Sequence, residues 1–255
     1  MRPRLVDAHI HLVDPDYGEL APLLPDMIEG LGMVVLAVSI DTATSEATLK
    51  LAHGHPGHIV PFIGIHPAEV EEAPLKEFLA FYEQVKGSAS GIGEVGLDPT
   101  YGGEEHYRLQ RKVFHAHLEL AERDQKPLSI HIRRVYDELL DILSTYRLQG
   151  VLLHWFQGEP RHLERAAELG YYFSFGPSLL YSKRMRRLAS RAPRDRVLTE
   201  TDGPVRFRGC FGGRVALPTF LPSVVYALAG LWGTSYDEVV RQVYHNLTAY
   251  LGFEP

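Results

Sequence analysis

The sequence predicts one closed (β/α)8 (TIM) barrel over residues 1–255, on three observations. Short apolar or β-branched runs alternate along the whole chain with longer stretches of helical spacing or turn residues. Eight such runs within 255 residues match a closed barrel in number and size. Parallel strands need long crossovers, usually helices, whereas a doubly wound open sheet uses fewer strands and shows a Gly-rich phosphate turn after the first, and none follows Leu12.

In order, the predicted strands are Leu5–Leu12, Met33–Ile40, Ile59–Ile65, Ala89–Leu97, Pro127–Arg133, Val151–Phe156, Tyr171–Phe175 and Val197–Thr201. The segments between them read as helices. Between Glu104 and Arg123, for example, Leu109, Val113, Leu120 and the set Phe114, Leu118 and Ala121 form a broad apolar stripe. The Gly- and Pro-rich stretch Gly203–Pro218 follows the last strand and reads as an extended barrel loop. No internal repeat, low-complexity tract or linker divides the chain.

Composition narrows the function classes. Hydrophobic residues at 45% and charged residues at 23% exclude disorder and fibrous repeats. A net charge of −6 leaves no overall basic field for unspecific binding of nucleic acid or anionic membrane, so any polyanion needs a local basic site. The longest apolar run, Met33–Ile40, is far short of the roughly 20 residues of a membrane-spanning helix. No signal-peptide pattern opens the chain. The sole cysteine, Cys210, excludes an internal disulfide and a multi-thiolate zinc site. A cytoplasmic protein with no membrane partner is the expectation, and nothing in the pattern demands more than one copy.

Histidines supply the chemical clue. His9-x-His11 is weak by spacing alone, since 13 histidines predict roughly 0.7 such pairs by chance, and His53/His55 and His115/His117 repeat it. Geometry separates the three: residues two apart share a face in a strand and diverge in a helix. His115 and His117 fall in the amphipathic helix, His53 and His55 in a turn after a helix, and only His9 and His11 in a strand, preceded on the same face by Asp7. Other strands also end on ionisable groups: Glu94 among apolar residues, where an unpaired carboxylate is costly, then His131, His154 and Asp202. His9, His11, Glu94, His131, His154 and Asp202 converging at one barrel mouth would suit two divalent cations (zinc, manganese or magnesium), with Glu94 as the bridge.

These residues resemble the TatD family of metal-dependent deoxyribonucleases, a branch of the amidohydrolase-like barrels. The shared motifs are Asp7-Ala8-His9-Ile10-His11, Gly64-Ile65-His66-Pro67, Gly93-Glu94-Val95-Gly96-Leu97-Asp98, Ile130-His131-Ile132-Arg133, His154-Trp155-Phe156-Gln157-Gly158 and Glu200-Thr201-Asp202-Gly203-Pro204. The resemblance implies that His9, His11, Glu94 and Asp202 hold one metal, that Glu94, His131 and His154 hold the second, and that His66 faces substrate. The chain departs from the family pattern at Trp155, often cysteine, and Ile132, often serine or threonine. The loop after the last strand keeps Arg206, Arg208-Gly209, Arg214 and Pro218 but lacks the family's asparagine.

Two such cations would activate a water and stabilise both oxygens of a phosphodiester displacement. Asp202 and Glu94 are then the catalytic carboxylates, Asp202 taking the water's proton. His66, Arg133, Arg208 and Arg214 are the expected phosphate contacts. Glu200, two residues before Asp202, is expected deeper on the same face, where it can orient a ligand. The basic run from Lys183 to Arg196 reads as a solvated helix face, with nucleic-acid contact the alternative, and Trp155 and Tyr101 as barrel-rim packing or base-stacking platforms. The expected partner is DNA, single-stranded or near an end, or a small phosphoester. The competing readings are an amidohydrolase acting on a small ester, lactone or amide, and a barrel that binds without catalysis.

Overall fold

A computed structural model describes residues 3–255; Met1 and Arg2, counted in the expected barrel unit, lie outside the described residues. Eight strands form one parallel sheet in chain order. They are β1 (Leu5–Ile10), β2 (Met33–Ala37), β3 (Ile59–Ile63), β4 (Gly91–Leu97), β5 (Leu128–Ile132), β6 (Val151–Leu153), β7 (Tyr172–Phe175) and β8 (Val197–Thr199). The helices are α1 (Leu24–Gly30), α2 (Thr42–Gly54), α3 (Glu72–Val85), α4 (Glu104–Asp124), α5 (Tyr136–Leu143), α6 (Pro160–Glu168), α7 (Lys183–Arg191), α8 (Leu221–Trp232) and α9 (Tyr236–Leu251). A barrel strand is covered on both faces, so its residues are almost all apolar and buried, and the long core runs between the sheet and the helix ring. Among the described residues no helix is long and apolar enough to cross a membrane.

Every expected strand is present, and six of the eight stop short of the expected C-terminal residue. The fourth and seventh end at Leu97 and Phe175 as expected, while β6 shrinks to three residues and β8 to Val197–Thr199. The lost tails include His11, His154 and Glu200. His11, His154, Glu200 and Asp202 lie just beyond their strands, where the backbone is still tied to the neighbouring strand end by single hydrogen bonds, His154 N–H to Ile130 O at 3.2 Å and Glu200 N–H to Phe175 O at 3.2 Å among them. His11 is therefore one residue past β1, not inside it.

The seam between β8 and β1 is closed by the site's own backbone. Asp202 N–H donates to His9 O at 2.9 Å and His11 N–H to Gly203 O at 2.8 Å. The Asp7 carboxylate receives Thr201 N–H at 2.9 Å and the Thr201 hydroxyl at 2.5 Å. A side chain on Gly203 would meet Tyr17 Oη at 2.2 Å and Ala216 O at 2.6 Å, so only glycine lets the last loop come this close. The stretch Gly203–Pro218 folds back on itself through one antiparallel bridge, Arg206 to Val215, over a small apolar cluster of Phe207, Phe211 and Ala216.

Candidate metal centre

At the C-terminal ends of the strands, five groups from β1, β5, β6 and β8 gather around one carboxylate on β4. Glu94, 2% exposed, presents its two oxygens in different directions. Oε2 lies 3.3 Å from His9 Nε2 and 3.1 Å from His11 Nε2. Oε1 lies 2.8 Å from His131 Nδ1 and 2.8 Å from His154 Nε2. Asp202 Oδ1 completes the first group, 3.7 Å from His9 Nε2 and 3.9 Å from His11 Nε2. All six expected ligands thus meet. Sorting donor atoms by mutual distance alone gives other trios as well, His9–His154–Asp202 and His66–Glu94–His131. The Glu94 oxygens themselves divide the rings into two pairs, and the tautomer of His66 argues against the trio that contains it.

Ring protonation follows from what each outer nitrogen touches. His131 Nε2 donates to Asp98 Oδ2 at 3.1 Å, leaving Nδ1 with a free lone pair. His9 Nδ1 pairs with Ser129 Oγ at 2.8 Å, and His154 Nδ1 faces Glu200 Oε2 at 3.8 Å, so in each the inward nitrogen is Nε2. His66 is opposite. Ala68 N–H donates to its Nδ1 at 3.1 Å, so the neutral ring carries its proton on Nε2, and that N–H points into the site 3.5 Å from Glu94 Oε1. Burial holds His66 down to about 4, against the pull of Glu94, so it is a neutral donor at physiological pH. A protonated nitrogen does not bind a cation, which separates His66 from His9, His131 and His154.

The donor set fits divalent cations. His9 Nε2 and His11 Nε2 face one another at 3.3 Å beside a carboxylate oxygen, a crowd of lone pairs that a cation resolves better than one or two protons. A cation held at about 2.0–2.2 Å by donors at right or tetrahedral angles spaces them about 2.8–3.6 Å apart, and the contacts of Glu94 fall in that range. Buried His154 Nδ1 and Glu200 Oε1 lack hydrogen-bond partners, marking a place where charge is expected. Burial pushes Asp202 up to about 7, reinforced by the Glu200 carboxylate. Burial acts on Glu94 in the same direction, but the surrounding imidazoles, His154 foremost, hold it ionised well below the usual range.

Backbone geometry supports the cluster. Asp202 sits at φ 51° and Trp155 at φ 37°, left-handed conformations costing roughly 1–3 kcal/mol each in non-glycine residues and typical of positions that aim a side chain. A Cβ on Gly96 would stand 1.9 Å from His131 O, so glycine there lets β4 and β5 bring Glu94 and His131 together.

Of the other expected residues, Glu200 receives the Ser174 hydroxyl at 2.5 Å and stands behind His154. Arg133 is exposed and lines a cleft of about 630 Å³ beside His131 and His154, along with Tyr101, Trp155, Arg134 and Arg184. Arg208 and Arg214 are exposed on the 203–218 loop and are not among the residues lining this cleft; Phe207 joins that loop to Trp155, ring centroids 5.4 Å apart. Sequence reasoning gave no role to Asp98, Ser129, Arg134 or Arg184. Asp98 and Ser129 carried a signal: Asp98 closes the Gly93-Glu94-Val95-Gly96-Leu97-Asp98 motif, and Ser129 lies two residues before His131 on one strand.

A family profile described as TatD related DNase matches residues 6–252. The human protein named Deoxyribonuclease TATDN3 is 30% identical over 213 residues, covering 78% of each chain. The 3'-5' ssDNA/RNA exonuclease TatD of a Pantoea strain is 30% identical over 227 residues, covering 83% of this chain and 85% of that one. The solved structure of YjjV, a TatD homologue from Escherichia coli K12, superposes with a TM-score of 0.88 over 98% of both chains at 23% identity, a likeness of fold.

Proposed function

The chain belongs to the TatD-related DNase family, and from that premise we propose that it is a divalent-metal-dependent deoxyribonuclease whose single barrel hydrolyses DNA phosphodiester bonds. The observation carrying this reading is the division of Glu94, one oxygen toward His9 and His11, the other toward His131 and His154. His9, His11, Glu94 and Asp202 would hold one cation and Glu94, His131 and His154 the second, with zinc, manganese or magnesium compatible with imidazole and carboxylate donors. Bound there, the pair supplies Lewis acidity: it lowers the pKa of water and offsets charge building on the attacking and leaving oxygens.

The protein's own groups do the rest. The Asp202 carboxylate takes the proton of the attacking water, and Glu94 fixes the spacing of the two ligand sets. His66 Nε2–H donates to a phosphate oxygen, and Arg133 binds phosphate from the cleft wall. Arg208 and Arg214 contact phosphate further along the strand. The cluster lies at the bottom of the mouth, His9 fully buried and Asp202 4% exposed, which suits a flexible single strand or a chain end better than a rigid duplex. Exposed arginines at the mouth favour a phosphodiester over the neutral ester, lactone or amide of related hydrolases. The six ligands come from one chain, so a monomer suffices, and the lone exposed thiol of Cys210 suits a reducing cytoplasm.

The test is metal analysis of the purified protein with a cation-supplemented assay on single-stranded DNA. Two cations per chain and cleavage lost in His131→Ala, with an unchanged circular dichroism spectrum, are expected; full activity in that variant overturns the ligand set. Replacing Arg208 and Arg214 together should raise KM for DNA and flatten its salt dependence, by roughly one unit of slope per contact removed.

A further inference from the structure

The mouth of the barrel is divided by charge, although the chain as a whole is acidic. The first hundred residues hold five Lys and Arg against fifteen Asp and Glu, whereas residues 169–218 hold ten against three. The loops that reach the mouth after β1, β2, β3 and β4 (residues 11–23, 38–41, 64–71 and 98–103) contain no lysine or arginine at all. They present Asp16, Glu19, Glu69 and Glu71 to solvent. The opposite rim begins with Arg133 and Arg134 directly after β5 and continues with Lys183, Arg184 and Arg186 in the first turns of α7.

These rim cations are available. Exposed arginines elsewhere, such as Arg123, Arg161 and Arg165, are held by carboxylates at 2.5–2.8 Å. Arg133, Arg134, Lys183 and Arg186 engage no carboxylate among the described residues, and Arg184 donates only to the carbonyls of Gln157 and Gly158. The one acid that lines the cleft with Arg133, Arg134 and Arg184, Glu159, is taken by Arg161 at 3.0 Å. Nothing in α7 offsets its cations: its first turn holds no acid, although the helix dipole favours one there. Aromatic faces interleave with the charges. Tyr101 and Trp155 line the cleft, and Tyr181, 41% exposed, covers Gly209 at the edge of the last loop. Cations interleaved with half-exposed rings are what a single-stranded nucleic acid requires.

We infer that the strand leaves the metal-ligand cluster along one path, across the β5-to-β8 rim from Arg133 and Arg134 to Lys183, Arg184 and Arg186, and is kept off the acidic β1-to-β4 rim. The inference rests on the nuclease reading and adds a direction to it: nucleotides beyond the reacting phosphate are gripped by the start of α7, a region the sequence pattern assigned to bulk solvent. A substrate too short to reach α7 gains nothing from this rim.

The test compares a single-stranded oligodeoxynucleotide of about a dozen nucleotides with the small diester bis(p-nitrophenyl) phosphate on the metal-loaded protein. Lys183→Gln/Arg184→Gln/Arg186→Gln should lower the ratio of kcat/KM for the oligonucleotide to that for the small diester about tenfold and reduce the salt slope by about two. Lys183→Gln/Arg186→Gln, which leaves the Arg184 contacts to the Gln157–Gly158 turn in place, should move the ratio in the same direction by about threefold. Lys50→Gln/Lys76→Gln/Arg108→Gln removes the same charge from the other half of the barrel and should leave the ratio within about twofold. An unmoved ratio in the rim variants, or an equal fall in the control, overturns the path. A phosphorothioate oligonucleotide, read by fluorescence anisotropy, separates this from the parent reading. If the wild type binds it and the rim variant binds it about tenfold more weakly while natural DNA is not cleaved, the nuclease reading fails and the path stands; if the wild type cleaves the small diester but does not bind the strand, the path fails.

Discussion

His9-x-His11 and His115-x-His117 are the same three-residue pattern in two places, and the fold uses them in opposite ways. At the end of β1 the two rings converge until their Nε2 atoms stand 3.3 Å apart beside Glu94. On α4 the same spacing sends His115 outward to the Tyr146 hydroxyl at 2.8 Å and His117 inward, where its Nδ1–H donates to Val113 O at 2.8 Å and its ring lies 4.8 Å from that of Phe78. A strand repeats its side-chain direction every second residue and a helix does not. A ligand motif therefore acquires meaning from the element that carries it, and one pair becomes chemistry while the other becomes packing.

The comparison is broken most directly at His9. His9→Ala removes an imidazole from the first ligand group and should reduce bound metal from two cations to one per chain, with kcat/KM on single-stranded DNA falling more than about 100-fold, beyond the range outer partners control. His117→Leu should leave metal content and kinetics as in the wild type. Metal loss in the α4 variant would erase the distinction between the two regions.

His117 should reveal itself through acid stability instead. Burial lowers it to about 4, so the folded protein takes up its proton less readily than the unfolded chain, whose histidine titrates near 6.5. Stability from this group is complete above about 6.5 and is lost as pH falls toward 4, amounting to about 3 kcal/mol over the whole interval. His117→Leu should remove that contribution. Denaturant unfolding near pH 7 and near pH 4.5 should show a smaller fall in the variant than in the wild type; parallel falls would mean that the ring is not buried in its neutral form.

Much of this was legible in the sequence. The barrel could be read because each strand is a short apolar run, and the six ligands because each ends such a run with a group that apolar surroundings make costly. Six strands proved shorter at their C-terminal ends, and His11, His154 and Asp202 stand just past the last paired residue of theirs. Partners across strands were not legible. Ser129 beneath His9 and Asp98 behind His131 depend on the register of β4 with β5 and the depth of β1 beside them, which no local pattern encodes. Arg134 and Arg184 looked like ordinary surface charge because the cleft that gathers them is formed by two separate loops.

Asp98 sharpens the comparison by a smaller step. Its Oδ1 accepts Thr100 N–H at 2.8 Å and the Thr100 hydroxyl at 2.6 Å, leaving Oδ2 to hold His131 Nε2–H. In Asp98→Asn those two donors keep the amide oxygen on the Thr100 side and turn the NH2 group toward His131. The ring must then accept at Nε2 and carry its proton on Nδ1, the nitrogen facing Glu94. Metal affinity of the second group should fall about 10–100-fold while the first remains filled. Titration with cation should resolve two unequal sites, and equal weakening of both would show that Asp98 acts through the fold and not through the tautomer.

The smallest effect belongs to His115. Its ring makes one hydrogen bond, to Tyr146 at the edge of the core, and a partly exposed hydrogen bond contributes about 0.5–1.5 kcal/mol. His115→Phe retains the ring volume against Tyr146 and removes only that bond, so denaturant unfolding should show a loss of about 1 kcal/mol or less, with bound metal and DNA cleavage at wild-type levels. His9→Phe keeps ring volume in the same way yet removes a donor on which Glu94, His11 and Asp202 converge, and should abolish metal at that group. Identical substitutions at identical motif positions then differ only in whether a strand or a helix presents the ring, and a shared loss of metal would place the cause in the histidine itself.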